Sequence, residues 1–282
     1  MLQEKKTVSK PFTFKQFKVE QDCCAMKVGT DGVLLGAWAD IIYAPKILDI
    51  GSGTGIIALM MAQRTENQDT SEKVVVHAVE IDDAAFTQSK DNMSQSPFAA
   101  RLTVFHSSIQ DFAKSSEIKY NLVVSNPPFF SGGTFSSNQD KTNVRHTVKL
   151  SHGDLLQSTR QLLDKNGKFC LILPLIEGMR FIEIARTYGF YTTKITEVHT
   201  LANKGIERLM LQLELSEKPL VKDKLIIQNS DERNDYTEGY KKFDKGFLYH
   251  FLTHSIVLNN YVKNDTPPSI HIFYSASKEG KP

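Results

Sequence analysis

The chain has 282 residues, of which 40% are hydrophobic, and this is enough for a sizeable core in one large domain with additions. The 34 basic and 32 acidic residues leave a formal net charge of +2, which excludes the strongly basic composition of many nucleic-acid-binding domains. Three cysteines, two of them adjacent, exclude a disulfide framework and a metal-ligand cluster, so we expect no metal.

The N-terminal 40 residues are predicted to be an extension packed on the core. Residues 1–6 lead into polar sequence rather than a signal peptide, and the chain has no run of eighteen apolar residues, so we expect a cytoplasmic monomer without membrane contact. Lysines interleaved with Phe12, Phe14 and Phe17 predict a hairpin. It either faces nucleic-acid phosphates or packs its phenylalanines inward. Gly29 then supplies a turn before a helix that Thr30 or Asp31 can cap.

Residues 46–62 predict a strand, a tight glycine turn and a helix. Asp49 precedes three glycines at alternate positions, Gly51, Gly53 and Gly55. Glycine is required where the backbone turns sharply and a ligand approaches within van der Waals distance. The helix N-terminus then presents unpaired N–H groups to that ligand.

A second strand, over residues 74–80, ends in Glu80 and is followed by Ile81. An acid at the end of the next strand has the spacing expected for binding ribose hydroxyls. The glycines read G-x-G-x-G rather than the G-x-G-x-x-G of dinucleotide-binding folds. Together these features predict a nucleoside site.

A polar corner, Asn126-Pro127-Pro128-Phe129, follows the buried strand predicted over residues 120–125. Ligands bind beyond the carboxyl ends of strands in open α/β sheets. The Asn126 amide oxygen and the Pro127 carbonyl can accept two amino hydrogens, and Phe129 can stack on a flat ring. The alternative interpretation of the corner is an ordinary turn. The alternative for Phe129 is a side chain that closes the core.

The following loop, residues 130–150, is too long and polar for a simple connection. It is predicted to be a substrate lid in which Lys141 and Arg145 contact phosphates, or else a solvated charged loop.

The remaining chain alternates helices and strands as a doubly wound sheet does. Helices are predicted over 154–163 and 176–188, and strands over 168–173, 191–201 and 207–215. The short connection at 202–205 predicts an antiparallel hairpin, where Lys204 and Arg208 are further candidates for phosphate contact. Residues 217–282 form a C-terminal extension to which the sequence assigns no role.

The Asp49–Gly55 loop resembles the S-adenosylmethionine loop of class I methyltransferases. The resemblance implies a Rossmann-like α/β domain over residues 41–216, with a mostly parallel seven-stranded sheet and an antiparallel edge hairpin. It also implies that Gly51 and Gly53 lie against the amino-acid part of S-adenosylmethionine, that Glu80 binds the ribose, and that Asp111 lies near the adenine amino group.

The Asn126–Phe129 corner resembles the signature of amino-methyltransferases, which methylate an exocyclic or amide nitrogen. An aromatic amine is a poor nucleophile because its lone pair is delocalised into the ring. If Asn126 and Pro127 accept hydrogen bonds from the amine, they orient the nitrogen and stabilise the developing positive charge, so no dedicated general base is needed before attack.

Residues 12–38 resemble the N-terminus of the bacterial tRNA adenine-N6 methyltransferases, and residues 27–38 are the most specific part of this match. The similarity to that family extends over about the first 250 residues of the chain. The resemblance implies a tRNA substrate, the adenine beside the anticodon of valine tRNA, and a cofactor-site position for Thr30 and Asp31. Two alternatives remain. One is methylation of ribosomal guanine N2 or a protein glutamine, and the other is a non-catalytic RNA-binding protein that keeps this fold.

Overall fold

The computed structural model describes residues 10–66, 73–128, 150–232 and 234–244. Among these residues, eight strands form one central sheet with helices on both faces, and two more form a small N-terminal hairpin. In chain order the elements are β1 (Phe12–Thr13), β2 (Lys18–Val19), α1 (Thr30–Trp38), β3 (Lys46–Ile50), α2 (Ile56–Arg64), β4 (Val75–Glu80), α3 (Asp83–Ser94), a short 3-10 helix (Ala99–Arg101), β5 (Leu102–His106), α4 (Ile109–Ser115), β6 (Tyr120–Ser125), α5 (His152–Leu162), β7 (Leu163–Pro174), α6 (Leu175–Thr187), β8 (Tyr191–His199), β9 (Ile206–Glu214), β10 (Val221–Ile226) and α7 (Glu238–Asp244).

The central strands are nearly continuous apolar runs because helices cover both of their faces. β3 is buried after its first residue, and β6 is buried except at Asn121. One hydrophobic cluster packs α1 and α2 against the sheet, and a second packs α4, α5 and α6 against the opposite face. β4, β3 and β6 run parallel, so their carboxyl ends meet along one side, hereafter the carboxyl edge.

The strand order is β10-β8-β9-β7-β6-β3-β4-β5. β9 is antiparallel to both β7 and β8, whereas β10 is parallel to β8. The predicted α/β fold, with a mostly parallel sheet and an antiparallel hairpin, is confirmed. The structure adds an eighth strand: β10 comes from the predicted C-terminal extension, so the hairpin lies one strand inside the edge. Lys222, Asp223 and Lys224 interrupt the apolar pattern of β10, as is usual for an edge strand.

The N-terminal hairpin packs its phenylalanines inward, where Phe14 and Phe17 stack with ring centroids 4.6 Å apart. The expected capping of α1 by Thr30 or Asp31 is wrong, because Gly29 occupies the N-cap position and no described side chain caps it. Near β7, the chain enters the strand directly from α5 at Leu163, and the register with β6 shifts there. In the part of the chain described, no helix is long and apolar enough to cross a membrane.

A buried hydrogen bond ties α1 to the antiparallel end of the sheet. Trp38 Nε1 donates to Thr196 Oγ1 at 2.9 Å, and Lys194 Nζ lies 5.3 Å from the centre of the Trp38 ring. Because α1 begins at the carboxyl edge, this bond also helps to fix the position of that edge.

Thr196→Val should lower the free energy of unfolding by about 1–3 kcal/mol, because it leaves the buried Trp38 N–H without an acceptor. Thr192→Val makes the same chemical change on the same strand at a half-buried position and should cost less. Urea unfolding monitored by tryptophan fluorescence measures both variants. Equal losses for the two would contradict this account of the Trp38 bond.

Candidate methyl-transfer site

The glycine turn after β3 has three residues in the left-handed region, with φ of 73° at Gly51, 54° at Gly53 and 81° at Gly55. Only glycine adopts this conformation without steric cost. A Cβ at Gly51 or Gly53 would meet no described heavy atom within 4 Å, so both face open space. A Cβ at Gly55 would lie 3.1 Å from Met93 and 3.3 Å from Ser89. Gly55 therefore serves the packing of the turn on α3, whereas Gly51 and Gly53 have space for a close approach from outside the turn.

Asp49 lies buried beneath this turn. Its Oδ2 accepts a hydrogen bond from the Ala58 N–H at 3.1 Å, which satisfies one free amide of the first turn of α2. Burial, with a smaller contribution from the charge of Glu80, raises the pKa of Asp49 to about 7. Its other oxygen, Oδ1, is buried and has no hydrogen-bond partner among the described residues.

Glu80 joins the end of β4 to the glycine turn. Its Oε1 accepts from the N–H groups of Ile81 and Asp82 at 2.8 and 3.0 Å, and its Oε2 accepts from the Gly53 N–H at 2.8 Å. A carboxylate has about four acceptor positions, so Glu80 can accept one further hydrogen bond.

Two adjoining cavities meet at Gly51 on the carboxyl edge. The larger has a volume of about 390 Å³ and is lined by residues 25–29, 31–32, 51–54, 56–57, 126 and 128. The smaller, about 60 Å³, lies between the ends of β4 and β5 and includes Glu80, Ile81, Ser108 and Gln110 in its walls. The glycine turn therefore lies between the smaller cavity, hereafter the slot, and the larger cavity.

The Asn126 corner opens into the larger cavity. Asn126 and Pro128 line it together with the glycine turn, and Pro127 is buried behind them. Ser125 Oγ donates to the Ile50 carbonyl at 2.9 Å, which links the ends of β6 and β3 immediately before the two functional turns. Phe129, Lys141 and Arg145 lie outside the described residues.

The N-terminal extension forms one wall of the larger cavity, which the sequence did not predict for residues 25–28. Asn92 of α3 binds Glu20 at both backbone groups and also donates to the Thr54 carbonyl at 2.9 Å. Gln88 accepts from the Cys23 N–H at 3.0 Å. Backbone-binding amides on α3 thus hold the extension beside the glycine turn. Gln88 and Asn92 are four residues apart, so the sequence alone places them on one face of α3. The sequence does not identify the segment that they bind.

The structure does not bring all predicted site residues together. Asp31 lines the larger cavity, whereas Thr30 is half-buried and is not part of the lining. Asp111 lies on the exposed side of α4, where hydrogen bonds from Ser108 and Lys114 lower its pKa. The slot is lined instead by the residues just before it, 107–110.

The two basic candidates of the hairpin are engaged with acids. Lys204 Nζ lies 3.2 Å from Asp231, and Arg208 Nε lies 3.0 Å from Asp31. A search of the described ranges finds no group of three or more His, Cys, Asp or Glu residues that could hold a metal ion.

The fold, with the glycine turn and the Asn126 corner at its carboxyl edge, is that of a methyltransferase. The methyltransferase small domain family matches residues 33–193, more than half of the chain. Among solved structures, a predicted O-methyltransferase of Agrobacterium tumefaciens has the same fold, with a TM-score of 0.60 and 17% identity over 78% of this chain and 98% of that chain.

More specific relatives narrow this class. The tRNA1(Val) (adenine(37)-N6)-methyltransferase of Pectobacterium carotovorum is 41% identical over 236 residues, covering 84% of this chain and 92% of the relative. The enzyme of the same name from Histophilus somni is 39% identical over 240 residues, covering 85% of this chain and 98% of the relative. The chain belongs to the family of the tRNA1(Val) (adenine(37)-N6)-methyltransferases.

Asp49→Asn should remove a pH-dependent loss of stability. Because the folded-state pKa is raised, the unfolded chain loses this proton first as pH rises, which favours unfolding between about pH 4 and 7. Relative to the native protein, Asp49→Asn should gain stability across this range by up to about 1.4 kcal/mol per pH unit.

Urea unfolding at half-unit pH intervals tests this difference in slope, and any constant cost of the substitution cancels. The exposed Asp91→Asn is the control and should keep the native slope. Parallel pH profiles for the native protein and Asp49→Asn would show that Asp49 is ionised at neutral pH in the fold.

Proposed function

We propose that the protein transfers a methyl group from S-adenosylmethionine to N6 of adenine 37 in a valine tRNA. The observation that carries the proposal is that the glycine turn and the Asn126 corner open into one cavity. A methyl donor and an amino acceptor held by these two turns would be adjacent, as direct transfer requires. Relatives at about 40% identity over most of the chain bear the name of this activity and support the choice of substrate.

The cavities fit S-adenosylmethionine in shape and chemistry. Gly51 and Gly53 leave space for close approach, and Glu80 retains an acceptor position for a ribose hydroxyl. Beneath the turn, Asp49 accepts from the Ala58 N–H and so holds the start of α2 against the glycines. When bound, S-adenosylmethionine supplies a methyl group on a positively charged sulfur.

We assign the cofactor's nucleoside to the slot and its amino-acid part to the larger cavity. Glu80 and Ile81 would then flank the ribose, with Ser108 and Gln110 beside the base. Asp31, Gly51 and Gly53 would surround the amino-acid part, and Asp49 would support the glycine turn from beneath. Thr30, Gly55 and Asp111 support these walls from outside the cavity. Catalysis is assigned to residues 41–216, with the first 40 residues completing one wall.

Asn126 and Pro127 do the chemical positioning in this proposal. The Asn126 amide oxygen and the Pro127 carbonyl accept the two hydrogens of the adenine amino group and turn its nitrogen toward the methyl carbon. The same acceptors stabilise the positive charge that grows on nitrogen during transfer. Phe129 stacks on the base after it leaves its neighbours in the anticodon loop, and Lys141 and Arg145 contact phosphates.

Asn126→Ala should reduce methyl transfer by at least about a hundredfold, because it removes an acceptor that acts in the transition state. The assay uses purified protein, labelled S-adenosylmethionine and unmodified valine tRNA, with the methylated nucleoside identified by mass spectrometry. Asn166→Ala, an exposed asparagine in β7, is the matched control and should keep native turnover. Valine tRNA with guanosine at position 37 should accept no methyl group.

Methylation of ribosomal guanine or of a protein glutamine, with none of tRNA, would replace the substrate and keep the reaction class. Full RNA binding without methyl transfer to any of these acceptors would overturn the enzymatic proposal.

A further inference from the structure

Arg208 and Asp31 form a mostly buried ion pair at the wall of the larger cavity. Arg208 Nε lies 3.0 Å from Asp31 Oδ2, and the two side chains are only 18% and 10% exposed. Arg208 also donates through a terminal nitrogen to the Glu207 carbonyl at 3.1 Å. The guanidinium is therefore held between β9 and α1 rather than extended toward solvent.

The topology places this pair beside the reacting groups. Arg208 is the register partner of Pro174 at the end of β7, and β7 neighbours β6, which carries Asn126. Asp31 lies in the first turn of α1 and faces the same cavity as Asn126 and Gly51. Burial raises the pKa of the adjacent Glu207 to about 7, against the lowering effect of the positive charge of Arg208.

We propose that Arg208 is a positioning residue that fixes Asp31, and with it the first turn of α1, on the wall of the cofactor cavity. This inference rests on the proposed function, since it assigns Asp31 to the cofactor. Removing one partner of a buried ion pair strongly destabilises a protein, because the remaining charge is left buried without compensation. Loss of Arg208 is therefore expected to change the position of the Asp31 carboxylate, and this effect does not depend on RNA. With 18% of its side chain exposed, Arg208 has little surface left for a phosphate.

A double-mutant cycle tests this role without requiring turnover. The affinity of the full chain for S-adenosylhomocysteine is measured by calorimetry for the native protein, Arg208→Gln, Asp31→Asn and the double variant. Arg208→Gln should weaken binding roughly tenfold in the native background and less than about twofold in the Asp31→Asn background, because residues in one ion pair are energetically coupled. Arg208→Lys retains the positive charge and should recover most of the affinity.

Two measurements separate positioning from other effects. Arg186→Gln removes an exposed arginine paired with Glu217 and should leave the affinity unchanged. The KM for tRNA should stay within about twofold of native in Arg208→Gln, whereas a phosphate contact would raise it and leave cofactor affinity intact. Circular dichroism checks folding, and if Arg208→Gln does not fold, the cycle is run with Arg208→Met, which keeps an unbranched side chain and removes the charge.

Equal losses in both backgrounds would overturn the proposal, as would a change confined to the KM for tRNA. A coupled cycle in a protein that methylates no tRNA would retain the role of Arg208 and reject the substrate. A native chain that does not bind S-adenosylhomocysteine would reject both the proposed function and this inference.

Discussion

The carboxylate of Glu80 is the interaction on which the cavity geometry depends. It accepts three backbone N–H groups, two from the start of α3 and one from Gly53. The sheet brings the ends of β3 and β4 side by side, and the Val79 carbonyl of β4 accepts from the Gly51 and Ser52 N–H groups at 2.9 and 3.2 Å. The three bonds convert that proximity into a fixed turn, because a left-handed glycine backbone has no side chain of its own to hold it. Without Glu80, the Gly53 N–H would lose its acceptor in the described structure.

The same edge is closed from the other side by segments distant in sequence. Asn92 joins the N-terminal extension to Thr54, and Ser125 joins β6 to Ile50. In both cases a neutral side chain binds a backbone carbonyl or amide. Such bonds place main chain against main chain with little dependence on salt or pH, so these parts of the cavity outline are set by uncharged groups. Charged groups then act on the ligand within that outline.

Local signals made most of the fold predictable. Apolar runs located β3 and β6, and the glycines identified the turn, because each depends on a few consecutive residues. β10 escaped prediction since its charged residues match an edge strand, whose pattern depends on a neighbour absent from the local sequence. Arg208 looked like a surface cation for the same reason: its partner Asp31 is 177 residues away. The sequence predicted Asp111 beside the nucleoside, whereas residues 107–110 line the slot. The position at which β5 ends determines which of these side chains face the carboxyl edge, and the sequence does not fix that position to a single residue.

The site accepts local costs that the sheet compensates. Asp49 is buried with one oxygen that has no hydrogen-bond partner in the described part of the chain, three glycines adopt left-handed conformations, and Asp31 with Arg208 forms a mostly buried ion pair. Each is unfavourable or neutral for stability alone. Asp49 is a fully buried residue of β3, whereas the glycines, Asp31 and Arg208 lie at the carboxyl edge. The hydrophobic clusters on the two faces of the sheet supply the free energy that holds the carboxylates of this edge at fixed positions beside the proposed cofactor cavity.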